Sequence, residues 1–304
     1  MPTLIVIAGS TASGKTAFSI KLAKALNTVI ISADSRQFYK EMSIGTAAPT
    51  PEEQLQVKHY FIHNISIKEK YDVADYEREV LTLLDELFKT HDVVVLTGGS
   101  GLFIDAVCNG IDEMPDVQPE IRNKVEKLLQ EGGINALAEE VQRLDPAYFA
   151  IVDQQNPRRL QRALEVCYQT GQPFSSFRSG NTTPRDFNFV KYALLWDRQE
   201  LIKRIDKRVD MMVELGLLEE AKSLYPMHQL NALNTVGYKE LFSYFDGQCT
   251  LEEAVEQIKI HTRQYAKRQM TWLRRDSSYK WITPEEFDDT VSVLQQAFSV
   301  PRPS

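Results

Sequence analysis

The sequence predicts an α/β fold in which a parallel sheet carries helices on both faces and is interrupted by an inserted helical domain. Three observations predict it. The apolar run Leu4-Ile5-Val6-Ile7-Ala8 leads directly into Gly9-Ser10-Thr11-Ala12-Ser13-Gly14-Lys15-Thr16, whose glycines, lysine and hydroxyl stand in phosphate-loop register. Strand-like runs then alternate with helical periodicity as far as residue 97, and a helical stretch separates them from an apolar run at residues 191–196. Such alternation gives a parallel sheet whose ligands lie beyond the carboxyl ends of its strands.

The elements follow in order. Residues 4–8 form the first strand, and residues 16–26 a helix on Phe18, Leu22, Ala25 and Leu26. Residues 29–32 are the second strand, 74–88 a helix and 92–97 the third strand. Beyond Gly110 the chain changes character at Met114-Pro115-Asp116-Val117-Gln118-Pro119, stays helical to about residue 171 and ends in a polar tract at 175–186. The core is therefore expected over 1–112 and 188–304, and the insertion over 113–187. Helices are expected through most of 199–273.

A chain of 304 residues with 43% hydrophobic content has ample material for a core. No apolar run approaches the roughly 20 residues of a membrane span, and Met1-Pro2-Thr3 enters the first strand without a basic leader. A cytoplasmic protein is expected. Cys108, Cys167 and Cys249 are far apart with neither metal-ligand nor disulfide spacing, which fits a reducing compartment and structural burial. The net charge of −7 does not itself suggest a nucleic-acid partner, so local charge must.

In the phosphate loop, glycine lets successive N–H groups turn inward at a helix N-terminus, Lys15 supplies a cation and the Thr16 hydroxyl can hold Mg2+. A plain glycine turn is the alternative. A nucleotide hydrolase of this class places an Asp after a later strand to hold the metal. Here that strand runs into Thr97-Gly98-Gly99-Ser100-Gly101, with no carboxylate. The loop therefore suits a diphosphate held as anchor or leaving group. After the second strand comes Ser32-Ala33-Asp34-Ser35-Arg36-Gln37, where Asp34 can take a proton and Gln37 can pair with a base edge, unless the segment merely caps a short helix.

Two segments gather positive charge. On a helix turning about 100° per residue, Arg263, Lys267 and Arg274 share one stripe and Arg268 and Arg275 another, with Tyr265 and Trp272 on a third face. Arg158 and Arg162 stand one turn apart, with Leu160, Ala163, Leu164 and Cys167 as the buried stripe and Pro157 at the helix start. Solvated helix faces are the alternative reading of both.

In this order the motifs resemble the tRNA dimethylallyltransferase (isopentenyl-transferase) family. They comprise the phosphate loop, Ala33-Asp34-Ser35-Arg36-Gln37-Phe38-Tyr39, Ile44-Gly45-Thr46-Ala47-Ala48-Pro49-Thr50, Val73-Ala74-Asp75-Tyr76, Gly98-Gly99-Ser100-Gly101-Leu102-Phe103, Asn156-Pro157-Arg158-Arg159-Leu160, Val236-Gly237-Tyr238-Lys239-Glu240 and Tyr265-Ala266-Lys267-Arg268-Gln269. The resemblance implies a P-loop nucleoside-triphosphatase-like core and transfer of a dimethylallyl group from dimethylallyl diphosphate to adenine N6, 3′ of the anticodon at position 37. Pyrophosphate is released. It assigns the diphosphate to Gly9, Thr11, Ala12, Ser13, Gly14, Lys15, Thr16 and Arg208, with Arg204 a competitor one turn away. Asp34 becomes the base, and Ser100, where the family more often has Thr, joins Asp34, Lys15 and Thr16 in the catalytic set.

For the tRNA anticodon stem-loop the resemblance implies contacts from Asp34, Ser35, Arg36, Gln37, Ser100 and Arg122, and from Arg158, Arg159, Leu160, Gln161 and Arg162. It adds Asn234, Gly237, Tyr238 and Lys239, and then Arg263, Lys267, Arg268, Gln269 and Arg274. A monomer with Mg2+ as cofactor is expected. An adenylate isopentenyltransferase acting on free AMP, ADP or ATP is the alternative function, and a P-loop kinase a third. Asp75 reads as part of a helix-start box with Asp72 as cap.

Overall fold

The computed structural model describes residues 1–178, 180 and 183–298. Among the described residues, β1 (Thr3–Gly9), β2 (Ile30–Ser32), β3 (His59–Tyr60), β4 (Val93–Gly98), β5 (Asn188–Leu194) and β6 (Tyr279–Ile282) form one sheet, ordered β3-β2-β4-β1-β5-β6. Every pairing is parallel. β1 is central, with Thr3 opposite Val93 of β4 and Asn188 of β5. Residues Leu4, Ile5, Val6, Ile7 and Ala8 are all 0% exposed, which explains why this strand reads as an unbroken apolar run: both of its faces are covered.

The helices are α1 (Lys15–Ala25), α2 (Pro51–Gln56), α3 (Val73–Leu87), α4 (Gly101–Asn109), α5 (Pro119–Leu144), α6 (Pro146–Phe149), α7 (Pro157–Thr170), α8 (Arg198–Glu214), α9 (Leu217–Leu224), α10 (Tyr238–Phe245), α11 (Leu251–Leu273) and α12 (Phe287–Phe298). Strand side chains alternate between two cores. Leu4, Val6 and Ala8 join residues of α3, α4 and α8 through α11, including Tyr76, Ile104, Val209 and Ile258. Ile5 and Ile7 join Phe18 and Leu22 of α1 and Val291 and Leu294 of α12. Asp72 caps α3 by accepting from Ala74 and Asp75 N–H, and Asp75 Oδ2 accepts from Asp72 N–H, so the helix-start box is present.

The chain divides into two compact units, Met1–Asn109 with Pro184–Ser304, and Gly110–Thr183. The second has its own core of Val125, Leu137, Val141, Leu160, Leu164 and Phe174. Its α5 breaks at Gly133, where φ is +68°. Asp145, 1% exposed, accepts from Tyr148 N–H and from the Ser175 hydroxyl and N–H, so its burial leaves no carboxylate oxygen unpaired. Within the polar tract at 175–186, residues 179, 181 and 182 lie outside the described residues.

Several elements were not anticipated: the helices α2 and α4, the strands β3 and β6, which at two and four residues are too short to show alternation, and α12 after β6. The strand expected at 191–196 runs instead over Asn188–Leu194, because pairing with β1 sets its limits. Cys108 and Cys167 are buried and all three thiols are free.

Candidate active site

The loops after β1, β2 and β4 share the carboxyl end of the sheet, where the strand order leaves β4 between β1 and β2. Gly14 caps α1 at φ +89°, a left-handed conformation that demands glycine, and Ala12 adopts φ +61°. The curl exposes the α1 N-terminus. Lys15 Nζ donates to Ser10 O at 2.8 Å. Ser13 Oγ is buried and, among the described residues, has no hydrogen-bond partner. Two long contacts brace the loop: Trp196 Nε1 donates to Ser13 O and Arg204 Nε to Ala12 O, each at 2.8 Å, with the Arg204 guanidinium 4.0 Å from the Trp196 ring centre.

Arg204 therefore supports the loop backbone, and Arg208, one turn further along α8, brings its charge to Lys15. Burial, then the Arg208 charge, pushes Lys15 down to about 8, against a smaller opposing effect of Asp34. Arg208 is itself lowered by burial and partly restored by Asp34. Two cations held together in a poorly solvated place form an anion site.

Asp34 follows β2, and its Oδ1 accepts from Arg36 N–H at 2.9 Å, a short turn that fixes the carboxylate. The Ser100 hydroxyl, at the start of α4, accepts from Ser35 N–H at 3.0 Å, so the loops after β2 and β4 are joined. Burial followed by the Asp34 charge pushes the phenol of Tyr265 on α11 up to about 12, with Ser100 acting the other way. Tyr265 thus stands beside the reacting groups. Only its recurrence with Trp272 on one helix face hinted at this in the sequence.

Several of the expected tRNA contacts have partners within the protein. The Gln37 amide is engaged internally, receiving from Ser32 Oγ at 3.1 Å and donating to Thr46 O and Ala47 O at 3.4 and 3.2 Å. Tyr238 is 0% exposed and donates to Glu220 Oε1 at 2.7 Å, while buried Gly237 gives its N–H to Glu240 Oε2. Gln269 is 7% exposed, and its amide faces the phosphate loop. Arg263 is held by Asp206 at 2.6 Å and Glu256 at 3.2 Å, so its charge is already paired. Leu160, 0% exposed, belongs to the α7 core face. For Leu160 and Gln269 the helix rotation that buries the apolar stripe turns the residue inward.

Other candidates stay at the surface. Lys267 and Arg268 on α11 and Arg274 just past its end are exposed, as are Asn234 and Lys239 before and within α10. On the inserted unit Arg122, Arg158 and Arg159 are exposed, Arg162 lies 3.6 Å from Glu165, and Gln161 Nε2 donates to Glu126 at 2.8 Å. Half-buried Ser35 and Arg36 flank Asp34. Glu220 gave no signal in the sequence. Its carboxylate accepts from the N–H groups of Ser43, Ile44 and Gly45 at 2.8–2.9 Å as well as from Tyr238, fixing the loop that Gln37 grips.

Residues 37–276 match the IPP transferase family. A tRNA dimethylallyltransferase of Christiangramia forsetii is 51% identical over 286 residues, covering 94% of each chain. A tRNA dimethylallyltransferase 1 of Bacteroides fragilis is 47% identical over 96% of this chain and 97% of its own. Among solved structures, a tRNA isopentenylpyrophosphate transferase from Bacillus halodurans superposes with TM-score 0.72 at 35% identity, over 98% of this chain and 96% of that one. A eukaryotic dimethylallyltransferase acting on tRNA gives TM-score 0.78 at 25% identity, over 97% of this chain and 78% of that one. With sequence, fold and loop arrangement in agreement, the chain belongs to the IPP transferase family.

Proposed function

We propose that the chain transfers a dimethylallyl group from dimethylallyl diphosphate to N6 of the adenosine 3′ of the anticodon, position 37, in tRNA and releases pyrophosphate. The observation that carries this reading is the meeting of three loops at one sheet end: the phosphate loop with Lys15, the turn that fixes Asp34, and Ser100 joined to that turn by Ser35 N–H, with the Asp34 charge acting on Lys15 and Arg208. Breaking the allylic C–O bond builds negative charge on the diphosphate, and inward N–H groups with Lys15 and Arg208 stabilise that charge where it develops. As the N6–C bond forms, Asp34 accepts the amine proton, which a barely basic exocyclic nitrogen needs removed. Ser100, tied to Ser35 beside Asp34, orients the acceptor.

The unpartnered Ser13 hydroxyl and the Thr16 hydroxyl in the first turn of α1 fit Mg2+, which takes few protein oxygens and completes its shell with water and phosphate. When bound there, Mg2+ supplies charge neutralisation for the departing pyrophosphate. Exposed Lys267, Arg268 and Arg274 suit phosphate backbone contacts. The expected setting is a cytoplasmic monomer; no helix among the described residues is long and apolar enough to cross a membrane.

Relatives named for tRNA favour this acceptor over free adenylate. The test compares labelled transfer to unmodified tRNA with transfer to AMP, ADP and ATP. Label in tRNA is expected, and transfer only to free nucleotide contradicts the proposal.

A further inference from the structure

Gln269 carries one of the least exposed polar side chains of α11, and both ends of its amide meet backbone. Oε1 accepts from Thr11 N–H at 2.8 Å and Nε2 donates to Gly99 O at 2.9 Å. One partner is a donor and the other an acceptor, which fixes the amide orientation and requires a neutral amide of this length. Thr11 belongs to the diphosphate loop. Gly99 precedes Ser100, whose hydroxyl accepts from Ser35 N–H next to Asp34. A continuous path therefore runs from the cradle of the leaving group, through one side chain, to the base.

α11 is itself fixed around this residue. Trp272 Nε1, three residues further on, donates to Asp105 Oδ2 of α4 at 2.9 Å. The approach at Gly99 is close: a Cβ there would stand 2.3 Å from Gln269 Nε2. We propose that Gln269 is a positioning residue for the transfer reaction, setting the separation between the diphosphate loop and the Asp34–Ser100 acceptor loops. This rests on the reaction proposed above. Attack on an allylic carbon requires the amine, carbon and leaving oxygen to be aligned, and an error of about 1 Å is enough to cost about 10²-fold in rate.

The test measures single-turnover transfer at saturating labelled dimethylallyl diphosphate and tRNA, with tRNA affinity measured separately. Gln269→Glu keeps the size and one acceptor but sets a carboxylate oxygen against the Gly99 carbonyl. Gln269→Met keeps the apolar volume with neither hydrogen bond, and carries the test if the charged variant folds poorly. Both are expected to lower the rate constant by about 10²-fold with tRNA affinity within about twofold of wild type. Gly99→Ala should act alike alone and add little to Gln269→Met, whose flexible side chain yields to the new methyl. A Gln269→Met rate within about twofold of wild type overturns the proposal, as does a loss confined to tRNA affinity, which would return Gln269 to the nucleic-acid surface. Wild-type protein that fails to transfer at all refutes the reaction itself.

Discussion

In the proposed reaction Asp34, whose charge favours the protonated forms of Lys15 and Arg208, is the base. Asp34→Asn preserves shape and hydrogen bonding to Arg36 N–H but removes the base, so single-turnover transfer should fall by roughly 10²–10⁴-fold with little change in diphosphate or tRNA affinity. Wild-type turnover in that variant contradicts the role. Lys15 gives a pH signature. Its pKa, pushed down to about 8 in the free protein, rises when an anion binds, so binding takes up a proton near that pH and weakens as pH climbs above it. Calorimetry at about pH 8 in buffers of different ionisation enthalpy should register that uptake; observed heats that do not change with the buffer would exclude it.

At the scale of elements, α11 has two jobs on two faces. Gln269 and Trp272 brace the loops of the site, while Lys267 and, just past the helix end, Arg274 face solvent. Replacing Lys267 and Arg274 together with Ala should weaken tRNA binding and flatten its dependence on salt, whereas Arg263→Met, removing a cation already paired with Asp206 and Glu256, should leave the salt slope unchanged. Equal slopes in wild type and the double variant would make the exposed stripe a solvated surface only. The loop at 43–45 hangs on Glu220, and Glu220→Ala should reduce stability in urea by about 1.5–3 kcal/mol, the range for hydrogen bonds to a charged group. A loss below about 0.5 kcal/mol would deny Glu220 that role. These faces explain what the sequence could and could not show. The phosphate loop and Asp34 are legible because their chemistry is local, contained within a strand end and one turn. Gln269 bonds across 258 residues and Tyr238 meets Glu220 through the fold, so no local pattern separates them from exposed neighbours.

For the whole molecule, the predicted parallel sheet was legible because its central strand is a buried apolar run at the head of the chain, and the alternation that follows dictates where the loops lie. Short β3 and β6 were not, since they exist only as partners of β2 and β5. The parallel topology brings three loops, distant in sequence, to one sheet end: a phosphate cradle, a base and a hydroxyl. As proposed, this cradle holds a prenyl diphosphate whose organic half is delivered to tRNA. To test this, the protein is incubated with labelled dimethylallyl diphosphate and unmodified total tRNA, and the tRNA is digested to locate the label. N6-dimethylallyladenosine immediately 3′ of the anticodon is expected; an unlabelled tRNA pool, or label on any other position, would contradict the proposal.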